Sequence, residues 1–259
     1  MSLLGPYATW SKKSGYAIWH NPTSEWTGIF ERINVQPKGV IHVGLYDFIE
    51  CGCYLKLVGD NVIGIEANPD IYQNMSKPVA DKWGFKIFNE FTYKEDGVEK
   101  EFYLCPHGVG SSFYQGQPEW GKVNSITVKT KTLSTIIEEN NIDMNQYDFL
   151  NVDVEGAELD VLMGFEKHLD YINVIDIETT LDDRNNSGAT HPVIVEWLGE
   201  RGFELREMSI DNYQRDGWGD SVFVRTDREH TPFEDINVGD KIWGKGYFEE
   251  AWPSFPWNK

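Results

Sequence analysis

Cysteine is scarce in this sequence, with three residues at Cys51, Cys53 and Cys105. That is too few for a disulfide framework, and Cys51 and Cys53 have neither the spacing nor the partner cluster of a zinc site. They read as reduced thiols in a cytoplasmic protein. Long apolar runs are missing too: no window approaches the roughly 18 residues that a bilayer-crossing helix needs. Met1-Ser2-Leu3-Leu4-Gly5-Pro6 lacks the basic start and the apolar length of a signal peptide. Positive charge is in deficit, with 23 Lys and Arg against 42 Asp and Glu and a net charge of −19. Such a surface repels phosphate backbones and anionic lipid, which argues against nucleic acid and membrane as partners. No internal repeat or low-complexity linker appears, which excludes repeat-array and disordered architectures.

What is present suits one sizeable core, since 40% of the 259 residues are hydrophobic and 25% charged, ordinary globular usage. Ten Trp are more than that core requires and imply aromatic surfaces outside it. Aromatic residues crowd both ends: Trp10, Trp19, Trp26 and Phe30 near the start, Trp243, Phe248, Trp252 and Trp257 near the finish. The expected organisation is an aromatic N-terminal extension (1–38), one domain (39–229) and an aromatic C-terminal tail (230–259), the extensions offering a surface for homo-oligomer formation.

From Gly39 the texture changes. Val40-Ile41-His42-Val43-Gly44 and Val62-Ile63-Gly64-Ile65-Glu66 are short β-branched runs separated by enough residues for one helix, so the unit reads strand, helix, strand with parallel pairing. A strand follows over 85–88, then a hairpin around Glu95-Asp96-Gly97 with Phe102–Leu104 on its return arm, then a strand over 126–130. Leu133, Ile136 and Ile137 give a helix, 148–153 a strand, and Ala157 to Phe165 a second helix. A strand over 172–178, a helix from Pro192 through Leu198 and two last strands, 203–208 and 221–225, complete the pattern. The fold class is α/β: one mostly parallel sheet with an antiparallel hairpin at its edge.

Two constellations bear chemistry. The first is the βαβ unit, in which Gly44 lets a ligand approach the backbone and Glu66 at the next strand end accepts from ribose hydroxyls. Gly44 as a mere strand end and Glu66 as a solvated residue fit equally well. The second is Asp153-Val154-Glu155-Gly156-Ala157-Glu158, acids at a strand's carboxyl end beside Glu178 of the next strand. Helix capping explains some of these acids, but there are more than a cap requires. Gly108-Val109-Gly110-Ser111-Ser112 is a small-residue loop fit to border a ligand or only to turn, and His107 and His191 are loop histidines of the kind that are ordinarily surface residues.

In order along the chain, Val40–Gly44, Val62–Pro69, Gly110-Ser111-Ser112, Thr130–Leu133, Asn151–Gly164 and Trp218–Arg225 resemble the FkbM family of S-adenosylmethionine-dependent methyltransferases. The acid-rich segment is the specific part. The resemblance implies a class I methyltransferase sheet, Rossmann-like, of seven strands with the last antiparallel and helices on both faces. It further implies S-adenosylmethionine as cofactor and O-methylation, often of sugar hydroxyls in glycans or secondary metabolites. By position, Gly44 would line the methionine part, Glu66 would hold the ribose diol, and Asp153 and Glu155 would lie beside the methionine end. His42, Ala67, Ser111 and Ser112 join them in the cofactor-binding set. The chain departs from its relatives at Phe48, where they carry a glycine, and at Ser134, where Asp is common. A ring at 48 is expected to plug part of the cofactor space.

For methyl transfer Asp153 is the first candidate base, or a ligand if a divalent metal assists, although no metal-ligand spacing indicates one. His191 is the second. The expected acceptor is a saccharide, with Trp19, Trp26 and Trp218 offering flat apolar faces to sugar rings. Two rivals remain on the sequence alone: a non-catalytic binding protein on a degenerate methyltransferase fold, and a nicotinamide oxidoreductase, which suits the βαβ unit but lacks the three-glycine fingerprint.

Overall fold

The computed structural model describes residues 8–10, 17–19, 25–48, 50–105, 110–115, 124–181, 189–208 and 217–234, with side chains from residue 28 onward. His107, Gly108, the 182–188 loop, the aromatic tail from 235 and the side chains of Trp19 and Trp26 lie outside the described set.

The chain opens with β1 (Ala8–Trp10) paired antiparallel to β2 (Ala17–Trp19), followed by α1 (Glu25–Ile33). β3 (Val40–Val43), α2 (Cys51–Val58) and β4 (Val62–Ile65) form the expected parallel unit. α3 (Pro69–Ile71) runs through a π-helical turn into α4 (Lys77–Trp83), before β5 (Lys86–Phe88). β6 (Glu99–Leu104) and β7 (Asn124–Lys129) pair with each other as a separate two-stranded sheet. α5 (Leu133–Glu139), β8 (Phe149–Val152), α6 (Glu158–Phe165) and β9 (Val174–Thr180) come next, then α7 (His191–Gly199), β10 (Phe203–Met208) and β11 (Trp218–Arg225).

Seven strands make the main sheet in the order β10-β11-β9-β8-β3-β4-β5. The terminal hairpin forms one edge as expected; within it β11 lies on the inner side, antiparallel to both β9 and β10. This is the class I methyltransferase, Rossmann-like sheet. β3, β4 and β8 are buried at every residue, because helices cover both faces, and this is why they read as unbroken β-branched runs rather than alternating ones. One face packs Ile41, Leu150, Ile175 and Phe223 against α5, α6 and α7. The other packs Val40, Phe149, Val174 and Val224 against α1, α2 and α4. Among the described residues no helix is long and apolar enough to cross a membrane. Cys51 and Cys53 are buried in α2 and form no disulfide.

Three expectations change. The last part of the leader packs into the domain: Ile29 and Phe30 of α1 are fully buried in the core, and Arg32 grips Glu207 of β10 through both carboxylate oxygens. The hairpin does not fold about Glu95–Gly97, because β6 takes its partner from β7 across residues 105–123. The helical stretch 69–83 was not expected; its signal was Asn68-Pro69, where Asn68 Oδ1 accepts from Asp70 N at 3.0 Å and Pro69 starts the helix.

Candidate functional site

A cleft of about 730 Å³, open solvent included, lies where the carboxyl ends of β3, β4 and β8 meet the β6–β7 hairpin. Its lining combines apolar surface from Phe102 and Phe113 with the polar groups of Glu66, Thr92, Ser111, Asp153 and Glu155, over a floor that includes Gly44 and Ala67. In open α/β sheets this is the edge at which ligands sit, since strands there diverge and the connecting loops leave a crevice.

Gly44 is required by close approach. Its φ is +97°, and a Cβ would stand 1.6 Å from the Asp153 carbonyl oxygen, so the β3 loop can pass β8 only without a side chain. The loop then turns back over Glu66. Glu66 is 7% exposed, and its Oε2 accepts from Tyr46 N at 2.8 Å while Oε1 accepts from Asn68 N at 2.7 Å. Burial pushes its carboxyl up to about 7, against the pull of these N–H donors. Two N–H bonds fix the carboxylate's direction and leave lone pairs facing the cleft.

The acid-rich turn divides into two pairs. Glu158 Oε1 accepts from Gly156 N at 2.8 Å and Val154 N at 3.2 Å, and Asp160 receives the Tyr114 hydroxyl at 2.7 Å and Lys94 Nζ at 3.0 Å. These two acids hold the scaffold, as the capping alternative supposed. Asp153 and Glu155 face the cleft, with Glu155 in the left-handed region at φ +57°. Carboxylate oxygens of Asp153, Glu155 and Glu178 all lie within 4.8 Å of one another, a grouping that could hold a metal ion. Asp220 of β11 stands directly across from Glu178 in the antiparallel register. Burial first, then the charges of Glu155 and Asp220, push the Asp153 carboxyl well above the ordinary range. Its side chain faces the open cleft, so solvent weakens the first cause and the crowding of like charge is the one that stands. Burial and the charges of Asp153 and Glu155 raise Glu178 in the same way.

Of the residues singled out in the sequence, Gly44, Glu66, Ala67, Ser111, Asp153 and Glu155 line this one cleft. Three do not reach it. His42 is 2% exposed beneath the sheet edge, its Nδ1 3.2 Å from the Tyr54 hydroxyl, and burial lowers its pKa to about 3, which leaves a neutral core histidine. Ser112 is 2% exposed and spends its hydroxyl on the acid-rich turn, donating to Glu155 O at 2.8 Å. His191 Nδ1 lies 3.0 Å from Thr179 Oγ1 and 3.3 Å from Ser221 Oγ. Strand alternation turns Thr179 and Ser221 to the face opposite Glu178 and Asp220, so the sheet stands between His191 and those carboxyls. Nor does Phe48 plug the cleft: it adopts a left-handed backbone, φ +57°, and its ring is fully buried against Phe85, Tyr54 and His42. The sequence did not mark Thr92, Phe102 and Phe113 as site residues, because long-range pairing places them: β6 with β7 for Phe102, a bridge of Thr92 to Lys131, and a bridge of Ser112 to Tyr103 beside Phe113.

Residues 36–205 match the model of the methyltransferase FkbM domain. No curated protein matches the sequence. Among solved structures, the chain is similar to the ribosomal protein L11 methylase of Lactobacillus delbrueckii subsp. bulgaricus, at 13% identity over 82% of this chain and 83% of that one, TM-score 0.44. It is also similar to the magnesium protoporphyrin IX methyltransferase of Synechocystis PCC 6803, solved with bound S-adenosylmethionine, at 9% identity over 78% and 75% of the two chains, TM-score 0.43. A third is an S-adenosylmethionine-dependent methyltransferase of Aquifex aeolicus, at 9% identity over 76% and 88%, TM-score 0.42.

Proposed function

The chain belongs to the FkbM methyltransferase family, and from that membership we propose that it methylates a hydroxyl of a saccharide with S-adenosylmethionine as methyl donor. The observation that carries this reading is the make-up of the cleft: a buried, backbone-held carboxylate at Glu66, apolar faces from Phe102 and Phe113, and two further carboxylates, Asp153 and Glu155, in one lining. The residues present fit the donor. Glu66 would accept from the ribose diol, Phe102 and Phe113 offer apolar faces to the base, and Asp153 and Glu155 oppose a sulfonium and an ammonium with negative charge. Bound there, S-adenosylmethionine supplies an electrophilic methyl group on sulfur.

Asp153 would orient the acceptor hydroxyl and take its proton while the new C–O bond forms and the C–S bond breaks, leaving a thioether. Positioning lowers much of such a barrier, and a base adds roughly 10²- to 10⁴-fold. Support for a saccharide comes from Trp218, 38% exposed and two residues before Asp220 on the same face of β11. A flat apolar ring beside carboxylates suits the C–H faces and hydroxyls of a sugar.

The test is a methyl-transfer assay over mono- and oligosaccharides, with protein, phenol and RNA controls. Turnover on a sugar is expected. Turnover confined to another acceptor class overturns the substrate, and cofactor binding without turnover on any acceptor favours a non-catalytic binding protein.

A further inference from the structure

Glu178 takes no part in the cofactor contacts described above, yet it completes a set. Asp153 follows β8, Glu178 lies on the neighbouring β9, and Glu155 reaches the same point from the turn, with one oxygen of each within 4.8 Å of the others. Among the described residues none of the three meets a lysine or arginine, so their mutual repulsion is not offset by a side-chain cation. Oxygen ligands of Mg²⁺ stand at about 2.0–2.1 Å and those of Ca²⁺ at about 2.3–2.6 Å, which places opposite ligands roughly 4 to 5 Å apart. The spacing of the three oxygens therefore matches a single hard cation, and a donor set of carboxylates alone selects Mg²⁺, Mn²⁺ or Ca²⁺ over softer metals.

A second observation is independent of the triad. Asp176, two residues before Glu178 on the same face of β9, is 3% exposed, and its buried Oδ1 has no hydrogen-bond partner. The charges acting most strongly on it are those of Asp220, Asp153 and Glu50. A buried carboxylate oxygen without a donor is costly to keep, and a water held by a cation is the donor this position lacks.

We propose that Asp153, Glu155 and Glu178 bind one divalent cation of the Mg²⁺, Mn²⁺ or Ca²⁺ class at the cleft, with Asp176 beneath them accepting from a water of the ion. Its place in catalysis rests on the function proposed above; its existence does not. There the ion would meet the oxygens of the acceptor and acidify a bound hydroxyl. One oxygen of Asp153 serves the ion and the other stays open to the proton.

The experiment uses the full chain, treated with chelator and titrated with MnCl₂ without cofactor. Free Mn²⁺ is read by electron paramagnetic resonance, and melting temperature is followed against Mg²⁺ and Ca²⁺. One Mn²⁺ per chain is expected, with a melting temperature that climbs with ion concentration. Glu178→Gln should weaken binding about tenfold or more and Asp176→Asn less, while Glu139→Gln, a surface acid of α5, should leave it unchanged. Without metal, Glu178→Gln should melt above wild type, since one repelling charge is gone. Absence of bound Mn²⁺ at millimolar ion overturns the site, as does unchanged affinity in a natively folded Glu178→Gln. A separate titration with S-adenosylmethionine keeps the two readings apart: lost cofactor binding with intact Mn²⁺ binding counts against the function and not against the ion.

Discussion

Ser112 Oγ donates to the main-chain carbonyl of Glu155 at 2.8 Å and so fastens the segment between β6 and β7 to the acid-rich turn. The same oxygen lies 3.3 Å from Val154 O and accepts from Tyr114 N at 3.2 Å. Glu155 sits at φ +57°, a conformation that costs a non-glycine residue about 1–2 kcal/mol and persists only where neighbours impose it. Tyr114 adds a second tie, from its hydroxyl to Asp160 on α6.

Ser112→Ala should therefore lower stability by about 1–2 kcal/mol and weaken cofactor binding, although the side chain does not line the cleft. Urea denaturation paired with calorimetric titration checks both. A variant of unchanged stability and affinity would show that the turn keeps its shape unaided.

Phe48→Gly relieves a left-handed backbone worth about 1–2 kcal/mol but removes a fully buried ring, a loss of about 3–5 kcal/mol. Net destabilisation of about 1–4 kcal/mol is expected, with no gain in cofactor affinity. Tighter binding in a folded variant would mean that the ring does reach the cofactor space.

Burial holds the Glu66 carboxyl up to about 7, against an ordinary value of 4.5. Raised in the folded state, it contributes stability that is complete below the unfolded value and is lost as pH rises through about 7, at most roughly 3 kcal/mol. Glu50, pushed up to about 8 by burial, acts with the same sign. Stability should accordingly fall between about pH 5 and 8, and Glu66→Gln should flatten part of that fall. Cofactor affinity should run the other way, rising with pH as Glu66 ionises and accepts from the diol. Melting temperatures and titrations across this range decide it, and an affinity independent of pH would remove Glu66 from the diol.

Asp153→Asn should keep most of the cofactor affinity while losing about 10²- to 10⁴-fold in turnover, since an amide can still orient a hydroxyl but cannot take its proton. Comparing kcat with the cofactor Kd measures the split. Equal losses in both would make Asp153 a binding residue and no base.

The sequence by itself determined the β-branched strands, the glycine that must end β3, the acidic residue at the end of β4 and the acids after β8. These are local: a fully buried parallel strand needs an apolar run, and Gly44 cannot carry a Cβ against Asp153 O. The tertiary structure alone decided which acids face solvent. Asp153 and Glu158 are five residues apart and chemically alike, yet one opens into the cleft and the other closes onto the N–H groups of its own turn. It also turned His191 to the far side of the sheet and sent the ring of Phe48 into the core, whereas Glu178 lies beside Asp153 and Glu155 as the adjacent strand ends implied. Which face a side chain takes depends on strand order, register and crossover, and these are set by packing between segments far apart in the chain, which no spacing within a motif records.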